Sequence, residues 1–144
     1  MKINKYRLMP SIKDIERAER LKFIIESLYE LNKNIPVIVE GKKDELALRR
    51  LGLIGEVITL HRGKSLYDFC AYIEEKFPKV IILLDWDENG NNLNKILSEN
   101  LKGYWEEFFW LREHLKILCQ KDINNIEGLP KLLKRLEGDE NTRL

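Results

Sequence analysis

The chain has 144 residues, 44% of them hydrophobic and 34% charged, and its 25 Lys and Arg against 24 Asp and Glu leave a formal charge of +1. This length points to a single domain, 1–144, able to bury roughly two-thirds of the surface its unfolded form would expose without disulfides or a structural metal. The composition excludes disordered, collagen-like and fibrous classes, and the near-zero charge argues against a protein that coats nucleic acid non-specifically, since that affinity comes from counterions displaced by many Lys and Arg.

No apolar run approaches the ~20 residues of a membrane span. The start, MKINKYRLMPSIKD, lacks an apolar stretch followed by a small-residue cleavage site, so a cytoplasmic protein with no membrane partner is expected. Cys70 and Cys119 lie far apart in apolar, helix-like surroundings with no CxxC pair, which reads as two buried thiols rather than a disulfide or a zinc site.

From Ser11 onward, Ile15, Ala18, Leu21, Ile25, Leu28 and Leu31 recur every three or four residues, which predicts an amphipathic N-terminal helix over 11–32. Pro10 precedes it, and Ser11 with Asp14 has the spacing of an N-terminal cap. After Pro36, the β-branched run Val37–Val39 suits a buried strand of a parallel sheet, and Gly41 is read as easing a tight strand-to-helix turn. Residues 44–51 read as a short helix closed by Gly52, 56–60 as a strand, and 65–77 as a second amphipathic helix, with Ser65 and Asp68 spaced as a cap and Pro78 as the stop.

Val80–Leu84 is the strongest strand signal, and 91–101 continues as a helix with Leu93, Ile96, Leu97 and Leu101 on one face. This alternation implies right-handed crossovers and a parallel sheet covered by helices on both faces. Beyond Gly103, YWEEFFWLREHLKILC fits either one helix or a short edge strand followed by a helix; residues 128–136 read as a final short helix.

Three acids fall at strand ends: Glu40 directly after VIV, Asp85 and Asp87 directly after VIILL. Ligands of an open parallel sheet bind outside the carboxyl ends of the strands, where the strand order reverses. If the first and third strands are neighbours, the three carboxylates converge there, with Asp85 and Asp87 pointing the same way and Trp86 the other. Carboxylates so close repel one another unless a cation neutralises them, and oxygen-only ligands suit Mg²⁺ or Mn²⁺. The plainer alternative is that the acids cap the helices that follow.

DWDENG, Asp85–Gly90, opens like an EF-hand loop, but the required twelfth-position Glu is Ile96 and a strand precedes it; the GKS at Gly63–Ser65 lacks the first P-loop glycine, which would fall at Ile58. Gly41, Lys42 and Lys43 at one turn, and Arg62 and Lys64 at another, are candidates to hold phosphates near the acids. His61 and His114 have no partnered nucleophile. Trp105, Phe108, Phe109 and Trp110 read as core or interface, and a homodimer through Tyr104–Trp110 is a further expectation.

VIVEGKKDELALRRLG (Val37–Gly52) and VIILLDWDENGNNL (Val80–Leu93) together resemble the two signature segments of the Toprim domain, shared by topoisomerases, bacterial primases, a 5S ribosomal RNA maturation ribonuclease, overcoming-lysogeny-type nucleases and recombination mediators; small stand-alone Toprim proteins look most alike. The resemblance implies that Glu40 is the family's glutamate, moving a proton in strand cleavage or joining, and that Asp85 and Asp87 are its Mg²⁺-binding DxD pair. Gly41, Lys42 and Asp44 stand in its E-G-x-x-D run, and Gly90 matches its glycine after the DxD. Further acids for a second metal are not placed.

The expected fold is therefore α/β: a Toprim-like, Rossmann-like three-layer domain with a central, mostly parallel four-stranded sheet over 36–119, the N-terminal helix, and a C-terminal helical extension over 120–137. The expected function is Mg²⁺-dependent phosphoryl transfer on DNA or RNA, above all phosphodiester cleavage by a small Toprim nuclease. The alternative is a non-catalytic module that binds nucleic acid or a DNA- or RNA-processing partner protein.

Overall fold

The computed structural model describes residues 11–60 and 63–138; His61 and Arg62 therefore lie outside the described residues. Helix α1 (Ile12–Asn32) starts at Ser11, whose hydroxyl accepts the Asp14 N–H at 3.0 Å. Strand β1 (Val37–Val39) leads into α2 (Lys42–Arg50), and β2 (Val57–Thr59) into α3 (Leu66–Lys76), which Ser65 caps through the Asp68 N–H. Strand β3 (Ile81–Ile82) is followed by α4 (Glu88–Asn100), a 3-10 turn at Glu106–Phe108, α5 (Phe109–Cys119) and α6 (Leu129–Leu136).

The strands form one parallel sheet in the order β2-β1-β3, with Val37 level with both Val57 and Ile81. The described residues thus hold three strands rather than the expected four. The Tyr104 carbonyl does accept the Val80 N–H, at 3.0 Å, but pairing stops at that one bond. The Glu106 carboxylate accepts the Gly103 N–H at 2.9 Å and the Trp105 indole donates to the Ser98 carbonyl at 2.9 Å, coiling the segment into a turn before an edge strand can extend.

Alternation along the strands divides the core into two layers. Val37, Val39, Ile81 and Leu83 face α1, α2, α5 and α6, whereas Ile38, Ile58, Ile82 and Leu84 face α3 and α4. The topology requires this arrangement: the chain moves one way across the sheet from β1 to β2 and the opposite way from β2 to β3. Crossovers of the same hand then place α2 and α3 on opposite faces, as observed. The order reverses between β1 and β3, which opens a crevice beyond their carboxyl ends. No helix among the described residues is long and apolar enough to cross a membrane. Cys70 and Cys119 are both buried free thiols, on opposite faces of the sheet.

Sheet register is fixed at one corner by Asn32, only 1% exposed at the end of α1. Its amide donates to the Ile35 and Glu56 carbonyls at 3.0 and 2.9 Å, and its oxygen accepts the Gly55 N–H at 2.9 Å. A Cβ on Gly55 would overlap the Asn32 carbonyl, so the two backbones meet only with glycine there. Replacing Asn32 by Ala removes three part-buried hydrogen bonds and is expected to cost about 2–4 kcal/mol. Thermal denaturation should show a Tm lower by roughly 5–15 °C; a shift below about 2 °C would show that Asn32 does not hold this corner.

Candidate functional site

Because β1 and β3 are hydrogen-bonded neighbours, Glu40 and Asp85 leave the sheet side by side. Together with Gly41, Lys42, Lys43, Asp44, Asp87, Asn125 and Glu127 they line an open cleft of about 360 Å³ at the reversal of strand order. Asp85 is 8% exposed; Trp86, between the two aspartates, is 6% exposed and packs in the same layer as Leu83, because the backbone bends at Trp86 and Asp87 instead of continuing the alternation of the strand. Asp87 caps α4, its Oδ1 accepting the Gly90 N–H at 2.7 Å, so one of the three acids does serve as a helix cap while standing on the cleft wall.

Gly90 explains why the loop closes so tightly. A Cβ there would overlap the Asp85 carbonyl oxygen and come within 2.8 Å of Glu40 Oε1, itself a buried atom. The first turn of α4 thus presses directly on the two acids from the neighbouring strands. Gly41 differs from the expectation that a tight turn demands it. Its φ of −150° is ordinary extended backbone and an added Cβ would meet nothing within 4 Å. What its missing side chain provides is open space in the cleft.

Several N–H groups lean toward the acids. The Ile126 N–H donates to Asp85 Oδ1 at 2.8 Å, and Asp44, 7% exposed, accepts from the Gly41 N–H at 3.1 Å and from the Glu127 N–H. These bonds do not offset the crowding. Burial above all, then the charges of Asp44, Glu40 and Asp87, push the Asp85 carboxyl up to about 7. Burial likewise raises Asp44, assisted by Glu127 and Asp87.

The sequence reading missed three residues that shape this site. Arg112 of α5, 5% exposed, lies behind the cleft and donates to the Leu84 and Asp85 carbonyls at 2.8 and 2.6 Å and to Asn91 Oδ1 at 2.8 Å. Burial lowers its guanidinium below the ordinary value, while Glu113, Asp85, Glu40 and Asp87 counteract that pull. Asn125 and Glu127 come from the loop between α5 and α6, which clasps the aspartate loop: the Trp86 N–H donates to the Asn124 carbonyl at 2.9 Å and its indole to the Ile123 carbonyl at 2.8 Å. Arg112 did leave a signal, since it falls on the buried stripe with Leu111, Leu115 and Cys119 where an arginine is out of place.

The phosphate-binding candidates divide. Lys42 and Lys43 stand on the cleft rim, with Lys42 3.5 Å from Glu45. Lys64 does not join them: its ammonium sits over the Tyr72 ring at 4.3 Å, drawn to the aromatic face of α3. Arg62 lies outside the described residues. Among the described residues no three His, Cys, Asp or Glu side chains are gathered tightly enough to cage an ion as they stand, so the acids form an open crevice.

Fold and crevice define an open parallel-sheet α/β protein with an acidic site at its topological switch point. The chain is 34% identical over 127 residues to a UPF0292 protein of Methanosarcina barkeri, covering 84% of this chain and 85% of the relative. It is 39% identical over 121 residues to a UPF0292 protein of Pyrococcus furiosus, covering 84% and 89%. The chain belongs to the UPF0292 family. A solved structure of a protein from Aquifex aeolicus superposes with a TM-score of 0.56 at 31% identity, over 72% of this chain and 93% of that one. No family model matches the chain.

The raised Asp85 carboxyl has a sign that can be measured. A group whose folded pKa lies near 7 and whose unfolded value is 3.8 makes the fold less stable as pH rises through that window. Asp85→Asn keeps an acceptor for the Ile126 N–H and removes the charge. In EDTA, the variant should gain on the wild type from pH 4 to about 7, by roughly 2–4 kcal/mol in total, and the difference should level off above. A difference that does not change between pH 4 and 8 would contradict the crowding of this carboxylate.

Proposed function

We propose that the protein is a Toprim-type nucleic-acid-processing protein whose crevice, carrying Mg²⁺ or Mn²⁺, cleaves phosphodiester bonds in DNA or RNA. The observation that carries this reading is the position of Glu40, Asp85 and Asp87 around one cleft at the ends of adjacent strands, with Gly90 fitted against the first two. The donor set fits a hard divalent ion. It is all oxygen, and the Asp85 carboxyl, raised to about 7 by burial and then by the neighbouring acids, is one that a bound cation would help to ionise.

Asp85, Asp87 and Glu40 would hold the ion. Bound there, it supplies polarisation of a phosphate and stabilisation of the charge that develops on it. Glu40 moves the proton to or from the attacking or leaving oxygen. Lys42 and Lys43, beside the N-terminus of α2, draw the phosphate toward the rim, and the missing side chain of Gly41 leaves room for its approach. Asp44 is committed to the Gly41 and Glu127 N–H groups and holds the rim in shape. Arg112 fixes the Asp85 backbone from behind, so the carboxylate keeps its aim.

A second reading, a module that binds nucleic acid or a processing partner without turnover, is favoured by the open arrangement of the acids. Cleavage assays over a panel of single-stranded, duplex and structured DNA and RNA with Mg²⁺ or Mn²⁺ separate the two. Glu40→Gln is expected to slow cleavage by about 10²–10⁴-fold, Asp85→Asn by at least as much, and EDTA to stop it. Wild-type rates in both variants would remove the nuclease reading, whereas metal-dependent binding with no turnover of any substrate by the wild type would establish the second.

A further inference from the structure

The most spacious cavity described is not the acidic crevice but an open groove of about 890 Å³ between α1, α2 and α6. Its walls carry Lys22, Arg50, Lys131 and Lys134 against Glu26 and Glu137, a local excess of cations on a chain with a formal charge of only +1. Lys22 and Glu137 form an ion pair, which leaves Arg50, Lys131 and Lys134 facing the single carboxylate of Glu26.

Ordinary helix electrostatics account for part of this. Arg50 and Lys134 lie in the last turns of α2 and α6, where a cation complements the helix dipole. Lys131 lies in the first turn of α6, where a cation opposes the dipole, and Lys22 lies in the middle of α1. These two have no such local reason to be basic.

The groove is also connected to the crevice. Helices α2 and α6 pack side by side, and each begins at the acidic cleft, α2 through Gly41–Asp44 and α6 just after Glu127. Arg50 and Lys134, at the far ends of these helices, therefore lie one short helix, roughly 12 Å, from the carboxylates, with Lys131 in the first turn of α6 between them. The floor between them is partly apolar, with Ile25, Leu51 and Leu133. A cavity of this volume far exceeds one phosphate, and a row of cations over an apolar floor suits a backbone of repeated charges carrying flat apolar bases.

We infer that this groove binds a nucleic-acid strand, holding the phosphates that lie beyond the segment presented to the crevice. The inference rests on the nucleic-acid reading above and adds the surface that would grip the substrate. The acids at one end of the strip and the cations running from Lys131 to Arg50 and Lys134 orient the strand: a phosphate enters the acidic end only with a bound cation, while the basic stretch holds its neighbours in any case.

The test separates groove from crevice. Anisotropy of a labelled 20-nucleotide oligothymidylate is measured in EDTA, from 50 to 200 mM salt, with a polyglutamate peptide of equal length as the comparison. The wild type is expected to bind the oligonucleotide in preference to the peptide. The double variant Lys131→Gln, Lys134→Gln is expected to bind it at least tenfold more weakly at 50 mM salt, with a log–log salt slope shallower by about 1.4 for the two lost contacts. Lys95→Gln with Lys102→Gln, exposed on and just after α4, should bind like the wild type. The groove variant should keep the wild-type Tm and its Mn²⁺ affinity by calorimetry.

Unchanged strand binding in the groove variant, equal weakening in the α4 variant, or preference for the peptide would overturn the inference. If that happens while Glu40→Gln still abolishes cleavage, the crevice reading survives. If the groove variant loses strand binding but no variant of the crevice alters cleavage or Mn²⁺ affinity, the groove stands and the crevice reading fails.

Discussion

Like charges in one low-dielectric corner repel, and this chain brings Glu40, Asp44, Asp85 and Asp87 to the ends of two adjacent strands. Much of the surrounding structure serves to hold them there. Backbone N–H groups of Gly41, Gly90, Ile126 and Glu127 point at the carboxylates from three different segments. Arg112 places a buried cation behind them, whose charge acts on Asp85, Glu40 and Asp87 while its hydrogen bonds to the Leu84 and Asp85 carbonyls steady the loop. What remains is an Asp85 carboxyl pushed up to about 7, by burial first and then by the charges of Asp44, Glu40 and Asp87.

The same corner joins the two halves of the core. Leu83 and Leu84 point to opposite layers, Asp85 faces the cleft, and Trp86 returns to the layer of α1 and α5. Through Trp86 and Ile126 the loop after α5 is tied to the aspartates at three hydrogen bonds, so the C-terminal extension is part of the site's wall and not an appendage. Helix α6 then leads from that wall to the basic groove. A shift of the α5–α6 loop would therefore be felt at the carboxylates and at the cations together.

Much of this layout was legible in the sequence where local rules decide. The Ser11 and Ser65 caps and the buried β-branched run Val37–Val39 follow from spacing and residue type. Legibility failed where long-range contacts override propensity. The pattern starts this helix only at Asn91, yet α4 begins three residues earlier, at Glu88, because Asp87 caps it, Gly90 fits against Asp85, and Asn91 is held by Arg112. Tyr104–Phe108 has the composition of an edge strand, but the Glu106 carboxylate and the Trp105 indole coil it into a turn. Glu127 and Arg112 belong to the site through tertiary packing from α5 and the loop after it, and only the placement of Arg112 on an apolar stripe hinted at this.

The central claim, that these carboxylates together hold one hard cation, is tested most directly by anomalous diffraction from crystals soaked in Mn²⁺. The expected result is a peak bounded by oxygens of Glu40, Asp85 and Asp87, lost in crystals of the Asp87→Asn protein. A well-ordered cleft with no peak, or a peak elsewhere on the molecule that survives the Asp87 substitution, would contradict it.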